Sequence, residues 1–219
     1  MFPDPHRHSV KICGITQPQQ AAEIFALGAD AVGINLWPKS KRYMPLSIAL
    51  SALQDVSAHH TLVAVLVNPD QTLLDATVKS GLFRALQLHG DETPLDVERL
   101  MERGAHVIKA LQVRDAASLM QIGDYPCSSI LLDAYNPETY GGGGHAFPWE
   151  LAVRAKELYP DKQILLSGGL TPNNVRLAVQ QTQSVAVDVA SGVESQPGIK
   201  DLAQVARFIA EARSGWMAT

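Results

Sequence analysis

Two cysteines in 219 residues, Cys13 and Cys127, are too few for a disulfide framework, so the chain reads as one that keeps its thiols reduced. A cationic surplus is missing too. The net charge is −4 with seven dispersed histidines, which leaves no basic face for a nucleic-acid backbone. No apolar run approaches the roughly 18 residues a membrane span needs. The longest, such as Leu62 to Val67, have strand length. Residues 1–8 carry no apolar core and do not read as a signal peptide. His, Cys and Asp nowhere cluster at metal-ligand spacing, so no metal site is expected. These absences leave a cytoplasmic protein without a membrane or nucleic-acid partner.

What is present is a globular balance, 46% hydrophobic and 18% charged. Eight short segments rich in Val, Ile and Leu read as buried strands: Ser9–Cys13, Ala31–Asn35, Leu62–Val67, Arg84–Gln87, His106–Lys109, Ser129–Asp133, Gln163–Leu166 and Val185–Asp188. Their starts lie about 22 residues apart, stretched to about 31 and 34 after the second and sixth, the room a parallel crossover with its helix requires. Between them, helical spacing recurs in Leu46, Ala49, Leu50, Leu53 and Val56, in Val175, Ala178 and Val179, and in Leu202, Val205, Ala206 and Ile209. Thr93-Pro94 and Thr171-Pro172 read as helix starts, and Thr16 to Leu27 as the first outer helix. Gly28, Gly81 and Gly104 read as helix ends. Eight units imply a closed (β/α)8 TIM barrel, an α/β fold in one domain over residues 9–215 with residues 1–8 as an N-terminal extension.

Side chains alternate along a strand, which places Ser9, Lys11 and Cys13 inside the barrel, with Cys13 at the rim where such barrels keep their chemistry. By residue type alone Cys13 is either a packed core thiol or a base. Lys11 inside the barrel demands a carboxylate, and Asp188 on the adjoining strand is the candidate. Asp133 ends the apolar run Ile130-Leu131-Leu132, where packing explains a charge poorly; it reads as an acid facing Cys13 or as a loop cap. Gly168 and Gly169 after strand seven, with Ser191 and Gly192 after strand eight, occupy the usual phosphate position of these barrels, the alternative being plain turn glycines. The run Gly141 to Gly144 is either a cover over the substrate or a loose loop. Arg42, in the basic loop Trp37 to Tyr43, has the planar fork that grips a carboxylate, whereas Lys39 and Lys41 read as solvated charges. His89 reads mainly as a residue fixing its own loop, with substrate contact as the alternative.

Taken together, these stretches resemble the phosphoribosylanthranilate isomerase family of tryptophan biosynthesis. The resemblance runs through Lys11-Ile12-Cys13-Gly14-Ile15-Thr16, Pro38-Lys39-Ser40-Lys41-Arg42-Tyr43, Val67-Asn68-Pro69 and Gln87-Leu88-His89-Gly90-Asp91-Glu92. It continues through Leu131-Leu132-Asp133, Ser167 to Val175, Val187 to Glu194 and Pro197 to Asp201. It implies a barrel of the ribulose-phosphate-binding type and an Amadori rearrangement of a phosphorylated aminosugar by general acid and base, with no metal or organic cofactor. In that comparison Asp133 resembles the acid, Cys13 the base, and Arg42 the arginine that holds the anthranilate carboxylate. Gly142, Gly143, Gly168, Gly169, Ser191 and Gly192 resemble the phosphate-binding backbone, and Asp188 a residue near the substrate. Gly143 stands where the family usually has threonine, Ser167 where it has alanine, and Gly33-Ile34-Asn35-Leu36-Trp37 where it has Gly-Phe-Val-Phe-Tyr.

Two other readings compete. The aminoaldose isomerases of histidine biosynthesis run the same rearrangement on a similar barrel, but they resemble a two-fold repeat with an aspartate ending the first strand, where this chain has Cys13. A barrel that binds a phosphorylated metabolite without turning it over would be expected to lack the acid or the base. Helix faces alone leave monomer and homodimer equally open.

Overall fold

A computed structural model describes residues 2–4, 6–134 and 148–218. Eight parallel strands close into a barrel in chain order: β1 (Ser9–Cys13), β2 (Ala31–Asn35), β3 (Thr61–Leu66), β4 (Ala85–Leu88), β5 (Val107–Val113), β6 (Ser129–Ala134), β7 (Gln163–Leu166) and β8 (Ala186–Val189). The crossovers carry α1 (Gln19–Ala26), α2 (Leu46–Ala52), α3 (Gln54–His59), α4 (Gln71–Lys79), α5 (Pro94–Glu102), a 3-10 helix (Ala116–Asp124), α6 (Trp149–Leu158) and α7 (Val175–Thr182). After β8 come a short 3-10 turn (Ser191–Val193), the hairpin strands β9 (Glu194–Gln196) and β10 (Ile199–Lys200), and α8 (Leu202–Met217). No helix among the described residues is long and apolar enough to cross a membrane.

Strand parity builds two cores. Val10, Ile12, Val32, Ile34, Leu62 and Ala64 face outward and pack beneath the helices. Ala31, Val63, Ala85, Ile108, Ala110, Leu131, Leu165 and Ala186 face inward and form an apolar floor. That floor contains several alanines, and Phe2 packs with it as the bulky member, 2% exposed, its carbonyl accepting a bond from His106 Nε2 at 2.6 Å. Above the floor the same inward parity brings up Lys11, Gln87, Asp133 and Asp188, a polar layer. Replacing Phe2 by alanine empties the base of the barrel, and a loss of about 3 kcal/mol or more in unfolding free energy is expected from chemical denaturation. A loss below about 0.5 kcal/mol would show that Phe2 does not support the floor.

Several boundaries differ from expectation for local reasons. β5 does not stop at Lys109; it continues to Val113 against β6. The lysine charge does not end the strand because its ammonium reaches Leu88 O, Gly90 O and Glu92 Oε2 at 3.2, 2.7 and 2.9 Å. The helix expected over Leu46 to Val56 breaks at Leu53 (φ −117°, ψ 9°). Thr93 caps α5 in a full capping box with Asp96. Thr171 does not cap α7, which begins at Val175. The Asn174 side chain, the natural cap there, turns back to accept from Thr171 N and to donate to Gly169 O. Thr16 likewise begins no helix; its hydroxyl donates to Gly198 O at 3.0 Å, and α1 starts at Gln19. Gly28, Gly81 and Gly104 take the positive φ expected of helix-terminating residues.

Candidate active site

At the C-terminal rim, β1 delivers Cys13 to the interior, 8% exposed, above Lys11. The Lys11 ammonium reaches Asp188 Oδ1 on β8 at 2.8 Å, the partner its burial required, and both side chains are almost fully enclosed. Burial works against that ammonium. The Asp188 carboxylate, followed by the Cys13 sulfur, outweighs it and lifts the Lys11 pKa above its ordinary value. Burial also dominates at Cys13 and pushes the thiol up, while Lys11 and Lys200 pull it down and Asp188 adds to the rise. The resting thiol is therefore harder to ionise than a free one. A side chain at Gly33 would bring its Cβ to 2.7 Å from Cys13 Sγ and 3.1 Å from Lys11 Nζ, so only glycine leaves room for both on the neighbouring strand.

Arg42 lies alongside this group, held by a bond from its backbone N to Ser40 Oγ at 3.1 Å. Its fork is already engaged. Nε and Nη2 each donate to Glu194 at 2.7 Å. Glu194 also accepts from Lys200 Nζ at 2.6 Å and from Gly198 N at 3.1 Å, so the hairpin β9–β10 closes an Arg–Glu–Lys chain beside Cys13. Burial would raise the Glu194 carboxyl, but Arg42 and Lys200 overcome it and hold the pKa low. Gln20 pins the hairpin to α1 through Lys200 N and Lys200 O. Lys39 and Lys41 are exposed, as a solvated loop requires.

Across the barrel, β6 presents Asp133, 3% exposed. Its Oδ1 accepts from Ala134 N at 2.9 Å, and its Oδ2 lies 3.3 Å from His89 Nε2. The other ring nitrogen of His89 meets Gln87 Nε2 at 2.9 Å. His89 thus serves Asp133, while fixing the loop falls to Glu92, which accepts from Asn68 N and Gly90 N and pairs with buried Lys109.

Gly168 (φ +83°) and Gly169 (φ +67°) turn the chain sharply after β7, and a Cβ on Gly168 would come to 2.5 Å from Ala134 N and 3.0 Å from Asp133 Oδ1. Loop seven therefore runs directly beside the Asp133 carboxyl. Gly192 packs against Leu170, which sets Ser191 and Gly192 next to that loop. Gly142 and Gly143, with the rest of the glycine run, lie outside the described residues. A separate cleft of about 480 Å³ opens between the loops after β2 and β3, lined by Trp37, Val67, Pro69 and Leu73 among others, and it reaches neither Cys13 nor Asp133. Among the described residues no group of His, Cys, Asp and Glu could hold a metal ion.

Glu194, Lys200 and Gln87 were not singled out by their sequence context. All three sit inside stretches that carry the family resemblance, and Gln87 also ends the expected strand Arg84–Gln87, a place where a polar group requires a reason.

A family profile described as N-(5'phosphoribosyl)anthranilate (PRA) isomerase matches residues 10–211. The N-(5'-phosphoribosyl)anthranilate isomerase of Trichlorobacter lovleyi is 40% identical over 204 residues, 93% of this chain and 97% of that one. The crystal structure of the Thermotoga maritima phosphoribosyl anthranilate isomerase superposes with a TM-score of 0.84 at 36% identity, covering 94% of this chain and 98% of that one. A phosphoribosyl anthranilate isomerase solved in complex with reduced 1-(o-carboxyphenylamino)-1-deoxyribulose 5-phosphate superposes at 0.80 with 33% identity, over 94% and 98% of the two chains. A barrel that carries this rim and matches these proteins almost end to end belongs to the N-(5'-phosphoribosyl)anthranilate isomerase family.

Proposed function

We propose that the chain rearranges N-(5'-phosphoribosyl)anthranilate into 1-(2-carboxyphenylamino)-1-deoxyribulose 5-phosphate, a step of tryptophan biosynthesis, with Asp133 as general acid and Cys13 as general base. One observation carries this reading. The inner faces of β1 and β6 bring one thiol and one carboxyl to the same rim, Cys13 backed by Lys11 and Asp188, and Asp133 backed by His89. Asp133 gives a proton to the ribose ring oxygen, the C1'–O bond breaks, and the anthranilate nitrogen supplies the electron pair that forms the Schiff base. Cys13 then takes the C2' proton, and the electrons released restore the nitrogen lone pair, leaving an enolamine. The enolamine takes a proton from solvent at C1' as the C2' hydroxyl releases its own to solvent and becomes a ketone. No electrons are lost or gained overall.

The phosphate is assigned to the backbone of Gly168, Gly169, Ser191 and Gly192. Arg42 is assigned to the anthranilate carboxylate through Nη1, since Nε and Nη2 belong to Glu194. Glu194 then works as a brace that holds the guanidinium plane. Turnover in D2O tests the chemistry: solvent deuterium is expected at C1' of the product. A product free of deuterium would mean that the C2' hydrogen passes to C1' without exchange, and would contradict protonation of the enolamine from solvent.

The Lys11 charge favours the thiolate, so its removal pushes the Cys13 pKa further up. The active form is the deprotonated one, which accumulates as pH rises through the pKa. The rising limb of kcat/KM is therefore expected above the range of an ordinary thiol, and Lys11→Gln is expected to move it to still higher pH. A limb that stays in place, or moves down, would separate Lys11 from the base.

A further inference from the structure

We propose that Gln87 is a positioning residue that fixes the tautomer of His89, so that the imidazole directs an N–H at the Asp133 carboxyl; the proposal rests on the reading of Asp133 as the general acid. Gln87 points inward from β4 into the polar layer and has no exposed surface. Among the described residues its side chain makes one hydrogen bond, Nε2 to His89 Nδ1 at 2.9 Å, and its Oε1 is buried with no hydrogen-bond partner. A hydrocarbon side chain would fill this position without an unmet oxygen, so the amide is a destabilising choice for packing and calls for another role.

Two arrangements fit the geometry, because an amide presents either end to a ring nitrogen. With the amide N–H toward Nδ1, the ring carries its proton on Nε2 and donates to Asp133 Oδ2, 3.3 Å away. With the amide reversed, Nδ1–H donates to the oxygen, and a bare Nε2 lone pair faces the carboxyl. Both amide N–H groups are then buried where Oε1 now lies. Orphaned buried donors are rarer than orphaned carbonyls, and once Asp133 has given up its proton a bare lone pair would be left against its carboxylate, so the first arrangement is the one the site selects.

Its consequence is chemical. Once Asp133 has given its proton to the ring oxygen, the carboxylate is held by His89 Nε2–H on Oδ2 and Ala134 N–H on Oδ1. Each carboxyl oxygen keeps a second lone-pair direction for the proton that is transferred. Gln87 touches no reacting atom; it acts through His89 by keeping Nδ1 an acceptor, as outer partners of a histidine generally do.

Long-range proton–nitrogen correlation spectra of the folded, histidine-labelled protein read the tautomer directly. His89 is expected to carry its proton on Nε2. In Gln87→Glu, whose carboxylate can only accept, the proton is expected to move to Nδ1; in Gln87→Met the preference is lost. In both variants kcat is expected to fall about tenfold or more with KM changed less than about twofold, as suits an effect on proton transfer rather than on binding. A wild-type Nδ1–H tautomer overturns the proposal, even if neither variant folds. So does a tautomer that both variants leave unmoved, or one that moves with kcat unchanged. Normal turnover by Asp133→Asn would instead remove the acid and leave the tautomer result standing.

Discussion

Cys13→Ala is expected to lower kcat by about two to four orders of magnitude, the range that a positioned base supplies. Binding of the reduced product analogue should stay within a few-fold. The thiol contributes only one heavy atom to a rim position, so its loss leaves the barrel floor and the phosphate loops intact. The surroundings make the substitution specific. Lys11 is ion-paired with Asp188 in either case, and Gly33 leaves the space beside the sulfur empty of any side chain that could substitute for it. Cys13→Ser should recover little, because a hydroxyl ionises far less readily than even a buried thiol. Near-normal turnover by Cys13→Ala would take the base away from β1 altogether.

Asp133→Asn is expected to be as damaging, by about two to four orders of magnitude in kcat, for the complementary reason. The amide has nearly the carboxyl's shape, keeps one oxygen to accept from Ala134 N, turns its NH2 toward His89, and cannot give up a proton at neutral pH. Ring opening is the step affected, so a substrate analogue already open at C1' should bind to the variant and to the wild type alike. If Asp133→Asn were instead to weaken analogue binding as strongly as it slows turnover, Asp133 would be a binding group and the acid would lie elsewhere.

How far these residues could be read in advance follows from how local their constraints are. Cys13 and Lys11 were placed inside the barrel by strand parity alone, since Val10 and Ile12 must face the helices. Asp188 followed from the demand of a buried ammonium for a carboxylate. Asp133 stood out because a charge that ends an apolar strand has no packing explanation. Arg42 was legible as a carboxylate-binding fork, but its pairing with Glu194 was not. That partner is 152 positions away, on a two-strand hairpin too short to leave a periodic signal. The same holds for Thr16, whose hydroxyl donates across loops to Gly198 O, while the Thr171 hydroxyl accepts from Asn173 N in its own loop. The strand expected over His106–Lys109 continues past the lysine to Val113. In the fold Lys109 is 1% exposed and is satisfied by carbonyls of the preceding loop and by Glu92. Pairings across loops, rather than the strands themselves, separate what the chain announces locally from what only the closed barrel supplies.

The most direct test of the account follows the anthranilate fluorescence of N-(5'-phosphoribosyl)anthranilate under single-turnover conditions, with enzyme in excess, for the wild type, Cys13→Ala and Asp133→Asn. A fast enzyme-dependent decay is expected for the wild type and a decay slowed by at least about a hundredfold in each variant, with the product analogue still bound by all three. A variant that retains the wild-type rate would contradict this expectation, because the site would then be working without its acid or without its base.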